Sequence, residues 1–347
     1  MGSTLQAQAA VAGPPDRRVP SVPGASDRAA TGADPDFLVR PALARLALFV
    51  YVTATLLFTL TQGLVLQRQA VVPWMMGLLV VGSLARGRSE MRALLRDWGL
   101  LLGFMLVYVF SQGVADSLGM PLQGAVLVDI DRVVGFGEVP TAWLQARLDA
   151  TGEPAWWEVP IAVVYVSHFF VVFVVAAVLW LRNRKRFRQW LVRLVTLSMA
   201  GVVTYIAFPA MPPWYANDEG LVTGVDRITS QGWSYLGLGF AQDVFQWGHA
   251  TLNPVAAVPS MHAAYAFLVF VFFAPGRHRL VQAALFVYAA MMGFTLVYTG
   301  EHWVFDVLVG WLYVAATVVF WDRRERRLAP DTTAGAEPDR ERAAAVR

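Results

Sequence analysis

The chain has no cysteine among its 347 residues, which rules out a disulfide framework and thiol chemistry. Charge is also scarce: Asp, Glu, Lys and Arg make up 15% of the sequence, against about 25% in a water-soluble domain. The net charge is only +3, and histidine occurs five times. What fills the space is apolar, with 56% hydrophobic and 13% aromatic residues and a mean hydropathy of +0.49. Such a composition belongs to an integral membrane protein in a lipid bilayer.

Apolar runs occur at Leu43 to Leu66, Val71 to Leu84, Trp98 to Val114, Val159 to Leu181, Trp190 to Phe208, Val255 to Ala274, Leu280 to Tyr298 and Trp303 to Trp321. A spanning helix needs about 20 apolar residues, and most of these runs approach or reach that. Val71 to Leu84 is short, with Pro73 near its start, and suits a tilted or re-entrant piece. The expected fold is an all-α transmembrane helix bundle of about eight spans, with six or seven as the lower counts.

Basic residues alternate between the connections. Arg86, Arg88, Arg92 and Arg96 lie between the second and third runs, and Arg182, Arg184, Lys185, Arg186 and Arg188 between the fourth and fifth. Arg277 and Arg279 lie between the sixth and seventh, and Arg323, Arg324, Arg326 and Arg327 follow the eighth. The other connections hold only Arg68, Arg132, Arg147 and Arg227. The positive-inside rule then places both termini in the cytoplasm, and the plasma membrane is the expected location. The basic clusters sit where topology demands them, so they do not argue for nucleic-acid binding. Met1 to Asp36 is rich in Ala, Gly, Pro and Asp and reads as a disordered tail rather than a signal peptide, and the stretch after Leu328 reads as disordered too.

Two long connections, Gly119 to Glu158 and Pro209 to Pro254, fall on the extracytoplasmic side. At about 40 residues each they exceed ordinary connections, and long loops tend to carry binding surfaces. The first contains Asp129-Ile130-Asp131-Arg132. Carboxylates two apart can hold a divalent ion that carries a phosphate, or sit in a solvated turn that caps an interfacial helix. The second opens Phe208-Pro209-Ala210-Met211-Pro212-Pro213-Trp214, where the prolines end the preceding helix. Trp214 is either an interfacial anchor or a wall of a lipid-binding groove.

The same outer side receives Pro259-Ser260-Met261-His262 and Tyr298-Thr299-Gly300-Glu301-His302-Trp303-Val304-Phe305-Asp306, each opening an apolar run with one run between them. Ser260 suits a helix cap after Pro259, and the N–H groups of a helix start, with its hydroxyl, make an anion-binding corner. His262 in that first turn could protonate the leaving oxygen of a phosphate ester. Asp306 lies four residues after His302, on the same helix face. Its carboxylate can accept from one imidazole nitrogen and leave the other basic and nucleophilic. A polar interfacial anchor, or a His/His/Asp metal site completed by Glu301 or His168, are the rival readings. His168, about ten residues into its run, is expected to face the bundle interior, either touching substrate or supporting the pair, or making a purely structural interhelical hydrogen bond. His249 reads as loop surface, and His278 lies in a basic turn on the opposite side.

Pro-Ser-x-His at 259–262 and His-x-x-x-Asp at 302–306, on alternate helices of a bundle, resemble the second and third motifs of the type 2 phosphatidic acid phosphatase (PAP2) superfamily. The strings Phe208 to Trp214, Tyr165 to Phe169 and Tyr298 to His302 are similar to the branch that contains inositol phosphorylceramide synthases, which are inositolphosphotransferases. The resemblance covers Asp129 to Trp311. It implies a metal-independent phosphoryl or phosphodiester transfer in two steps, without cofactor. His302 would attack phosphorus and form a phosphohistidine, Asp306 would orient it, and His262 would protonate the departing alcohol. Water, or a polyol or lipid hydroxyl, would resolve the intermediate, with Ser260, His168, Glu301 and Trp214 beside a lipid phosphate or phosphodiester. Residues 119–322 would be the catalytic transmembrane domain, 37–118 accessory helices, 1–36 a cytoplasmic tail and 323–347 a basic tail.

The sequence departs from that family in its cations. The Lys and Arg of the first motif are absent from Phe208 to Trp214, and Thr295 and Leu296 stand where the third motif has Ser-Arg. A phosphate monoester dianion would be poorly neutralised, whereas a phosphodiester asks for less. Two further functions compete with this reading. A polyprenyl-phosphate glycosyltransferase would use Asp129 and Asp131 and need a metal, and a non-enzymatic lipid transporter or scramblase would keep His168 and Asp306 as buried polar groups.

Overall fold

Apolar runs in lipid must close their own backbone hydrogen bonds, which leaves the helix as the local solution. The computed structural model describes residues 41–62, 68–84, 86–117, 120–149, 152–238 and 255–328. The expectations for the two tails and for His249 lie outside the described residues.

Among the described residues twelve helices follow in order. They are α1 (Pro41–Gln62), α2 (Arg68–Ser83), α3 (Arg88–Ser117), α4 (Ala125–Val134), α5 (Pro140–Leu148), α6 (Glu158–Arg182), α7 (Arg184–Ala207), α8 (Pro213–Asp218), α9 (Gln231–Tyr235), α10 (Met261–Phe273), α11 (Arg279–Tyr298) and α12 (Val304–Leu328). Five of them, α1, α6, α7, α11 and α12, are long and apolar enough to cross a membrane. Their outer faces present large apolar side chains, among them Phe49, Val174, Phe286 and Leu312. A water-soluble protein would not expose such a band.

Helix α10 sits at the centre, packed against α6, α7, α11 and α12. It begins later than the apolar run suggests. Residues 255–257 are not helical, and Ala256 pairs with Ala210, because Ala210 N–H donates to the Val255 carbonyl at 2.8 Å and Ala257 N–H to the Ala210 carbonyl at 3.2 Å. The 13 residues that remain helical reach only about 20 Å, short of the roughly 30 Å of a hydrocarbon core. Small residues let its neighbours close in: Ala263 and Ala264 are fully buried, and a Cβ on Gly310 of α12 would stand 2.5 Å from the Ser260 carbonyl. Close approach through small residues is how helices associate where lipid weakens the hydrophobic drive.

The basic connections gather at one end of the bundle. Arg184 reaches Glu90 (2.6 Å) and Asp97 (3.3 Å) on α3, while Arg193 reaches Asp322 (2.6 Å) and Glu325 (2.7 Å) on α12. Arg186 donates to the Phe272 carbonyl near the end of α10 at 3.0 Å. The starts of α6, α10 and α12 therefore lie at the opposite end, and there the described parts of the two long connections fold into a cap. Met211 N–H donates to the Gln123 carbonyl (2.9 Å) and Gln123 N–H to the Pro209 carbonyl (2.8 Å), so Ala210 ties both connections to the strand-like lead into α10. Leu127, Val128, Val139, Val222, Val225, Val258 and Trp303 form the core of that cap.

The contact between α10 and α12 can be tested directly. Gly310→Ala should cost about 1–3 kcal/mol through overpacking against backbone, lowering Tm in detergent. Gly99→Ala, where the new methyl meets nothing within 4 Å, should leave Tm unchanged or raised.

Candidate active site

The turn from α11 into α12 aims the second histidine motif. Gly300 takes φ +78°, a left-handed conformation suited to glycine, and a Cβ there would stand 2.6 Å from the Asp226 carbonyl. Glu301 and His302 N–H groups both donate to the Leu296 carbonyl, at 3.0 and 3.1 Å. Beyond the turn, fully buried Asp306 uses Oδ2 to accept from Trp303 N–H at 3.0 Å, and the same oxygen lies 3.3 Å from His302 Nδ1. His302 Nε2 in turn lies 3.3 Å from His262 Nδ1.

With Asp306 ionised and both rings neutral, one tautomer assignment makes both contacts hydrogen bonds. His302 donates from Nδ1 to Asp306, and its Nε2 lone pair accepts from His262 Nδ1–H. The three groups form a chain rather than converging on one point. Among the described residues no three His, Asp or Glu side chains are grouped as a metal cage.

Helix α10 places His262. Ser260 caps it, its Oγ accepting from Ala263 N–H at 3.3 Å. The Ser260 N–H donates to the Asp306 carbonyl at 3.0 Å, so the two motifs are joined through backbone as well as through imidazole. Ser260 is fully buried, and these bonds fix one helix start beside the other. His168, 1% exposed, lies against His262 with ring centroids 3.7 Å apart and stacks on Tyr265 at 5.5 Å. Tyr165 stacks on His262 at 5.5 Å. His278 caps α11 by accepting from Leu280 N–H, in the connection that follows α10.

Asp129 and Asp131 do not act as a pair, so of the two readings of this loop the shared divalent ion finds no support. Asp129 is open to solvent and lies 3.5 Å from Arg132. Asp131 is fully buried on the other side of α4, and accepts from Val304 N–H (3.2 Å) and Phe305 N–H (3.1 Å) at the start of α12. Burial pushes its pKa up to about 6, against the pull of those two N–H groups, and the Asp306 charge adds to the rise.

Glu301 and Trp214, both expected beside substrate, meet through a residue that sequence reasoning counted only for topology. Arg227 donates from Nε to Glu301 Oε1 at 2.7 Å and from Nη2 to Oε2 at 3.1 Å, and its guanidinium lies 4.7 Å from the Trp214 ring centroid. Its loop is pinned by buried Gln145, which donates to the Asp226 and Tyr298 carbonyls and accepts from Asp226 N–H, each at 2.8 Å. Thr295 and Leu296 are both buried in α11, so no cation enters from there.

A model of the PAP2 superfamily matches residues 125–320, a stretch that contains both histidine motifs, Asp131 and Arg227. The chain belongs to the PAP2 superfamily. It is also 31% identical, over 138 residues, to a phosphoinositol dihydroceramide synthase from Bacteroides thetaiotaomicron. That match takes in 37% of this chain and 43% of the relative, so the similarity spans less than half of the curated protein. No solved structure matches the chain. The PAP2 match begins where α4 begins, and α1 to α3 lie outside it.

Asp131 gives this PAP2 site a pH signature. A carboxyl whose folded pKa is raised binds its proton more tightly folded than unfolded, so its stabilising contribution is present in acid and lost as pH climbs through about 6. Asp131→Asn should remove that fall, making the slope of Tm against pH between about 4 and 6 more positive than in the wild type. The same variant should cost about 1–3 kcal/mol at neutral pH, because an amide offers one acceptor oxygen to two N–H groups. Thermal unfolding in detergent from acid to neutral pH reads both effects, and parallel slopes would mean that Asp131 titrates ordinarily.

Proposed function

We propose that this PAP2 protein is a membrane-embedded phosphotransferase or phosphatase that works on the head-group phosphate or phosphodiester of a lipid through a phosphohistidine on His302. The observation that carries this reading is the line Asp306–His302–His262, with contacts of 3.3 Å on either side of the His302 ring. It supplies a base of fixed tautomer next to a proton donor, the arrangement covalent catalysis uses.

In the first step the His302 Nε2 lone pair forms the N–P bond while the P–O bond to the departing alcohol breaks. His262, entering as the imidazolium, gives that oxygen its proton. Asp306 holds the Nδ1 proton and stabilises the positive charge that develops on His302. In the second step an acceptor hydroxyl gives its proton to His262 and attacks phosphorus, and the N–P electron pair returns to Nε2. Water as acceptor makes a phosphatase, whereas a polyol or lipid hydroxyl makes a transferase. The name of the Bacteroides relative, a synthase, and the missing motif cations favour transfer from a phosphodiester.

The reading places the site at the extracytoplasmic face. Its support is the gathering of Arg184, Arg186 and Arg193 at the far end of the bundle, which the positive-inside rule would hold in the cytoplasm. The eight helices α1, α2, α3, α6, α7, α10, α11 and α12 correspond to the eight apolar runs, and we assign them as the spans, the short α10 crossing together with the non-helical lead at 255–260, with both termini cytoplasmic in the plasma membrane.

Purified protein in lipid, supplied with lipid phosphates and phosphodiesters in the presence of chelator, tests the reaction. His302→Ala should abolish head-group release with Tm retained, and full turnover by that variant would remove the mechanism. His262→Ala should lose about 10²–10⁴-fold in kcat on an alkyl donor. It should recover most of this on a nitrophenyl ester, whose leaving group needs no proton.

A further inference from the structure

The PAP2 site as drawn has a charge problem. Asp306 and Glu301 are both buried carboxylates within five residues of sequence, and the donor is itself an anion whose transition state spreads more negative charge onto its oxygens. Two imidazoles cannot neutralise that while one serves as nucleophile and the other as acid. The motif cations that would do so are absent from Phe208 to Trp214 and from positions 295 and 296.

Arg227 stands where such a cation is needed. It is bound to Glu301, the residue immediately before His302. It also interacts electrostatically with Tyr165, and Tyr165 stacks on His262. The guanidinium thus has a neighbour on the nucleophile's side and one on the acid's side. Trp214 covers its face at 4.7 Å, a cation–π contact that fixes the plane. The Arg227 side chain keeps 27% of its exposure while Glu301 keeps 8%, so the pair is open on the arginine side.

A guanidinium has five N–H donors in a planar fork. Glu301 takes two of them, from Nε and Nη2, so the fork can serve a phosphate oxygen without releasing the carboxylate. We propose that Arg227 is the phosphate clamp of this site, held in place by Glu301 and Trp214, and that Glu301 limits its net charge so that singly charged phosphodiesters are preferred to doubly charged monoesters. The proposal rests on the phosphohistidine reading for its substrate, but not for its anion.

The alternative is a structural pin, with the Arg227–Glu301 pair only holding the α11–α12 turn. The two roles differ in sign at Glu301. Full-length protein in nanodiscs, as wild type, Arg227→Gln, Arg227→Lys and Glu301→Gln, is assayed with phosphatidylinositol and with phosphatidic acid. Orthophosphate affinity is followed in parallel by the shift in Tm. For a clamp, Arg227→Gln raises the donor KM about tenfold or more and loses the orthophosphate shift, and Arg227→Lys restores part of both. Glu301→Gln tightens orthophosphate binding and moves selectivity toward phosphatidic acid about tenfold. For a pin, Arg227→Gln and Glu301→Gln weaken Tm alike and neither changes orthophosphate binding or selectivity, which overturns the proposal. Because orthophosphate binding needs no turnover, loss of the phosphohistidine mechanism would leave the clamp measurable.

Discussion

At the first turn of α12, backbone N–H groups that no helix can satisfy internally are taken up by two carboxylates. Asp131 accepts from Val304 and Phe305, and Asp306 accepts from Trp303. The positive end of the helix offsets both negative charges, which otherwise would be very costly to bury. The rest of the site follows from this. Because Trp303 N–H and His302 Nδ1 share one Asp306 oxygen, the helix start sets the position of the imidazole. Because Asp131 comes from α4, the first outer connection is fastened to the same turn.

That fastening explains why the described parts of the long connections are walls rather than loose lids. They share a core with Trp303, whose indole N–H donates to the Met211 carbonyl at 2.7 Å. Below this cap, the residues around His262 are those of a lipid-embedded bundle: alanines on α10, Tyr165 and Phe169 on α6, Leu296 on α11. The two histidines stand at the seam, where polar backbone bonds end and apolar packing begins. A hydrogen bond at such a seam is stronger than the same bond in water, and an unmade one is more expensive.

Much of this was legible in the sequence. Helix identity followed from the apolar runs, and the shared end of the two motifs followed from counting one run between them. His302 and Asp306 could be paired because four residues is a helical repeat. What stayed hidden depended on backbone partners. Asp131 could be read either as half of a metal-binding pair or as part of a solvated turn, because the N–H groups it accepts from lie 173 and 174 residues away, and a free N–H has no letter in the sequence. The late start of α10 depends likewise on Ala210 crossing two other segments. Arg227 did leave a signal: between Pro209 and Pro254 it is the sole Lys or Arg. A lone cation in a loop that topology keeps clear of positive charge asks for a local reason. Glu301 and Trp214 provide the contacts, and neither is near it in sequence.

For the proposed reaction, the contact between His262 and His302 is a resting state that donor binding has to replace. In-line displacement puts the leaving oxygen on the far side of phosphorus from Nε2, so the two rings cannot keep their mutual bond during transfer. The exchange need not be costly. His262 Nδ1–H passes from one acceptor, the imidazole nitrogen, to another, the departing oxygen, and a donor that keeps a partner loses little. His302 meanwhile keeps its Nδ1–H on Asp306, so no tautomer has to change before attack. His168 and Tyr165, packed against His262, resist tilting of its ring as the bond is given up. The line of contacts thus presets the Nδ1 protons of both rings, and what has to be added is a second proton on His262, which makes it the imidazolium, and the phosphorus of the substrate.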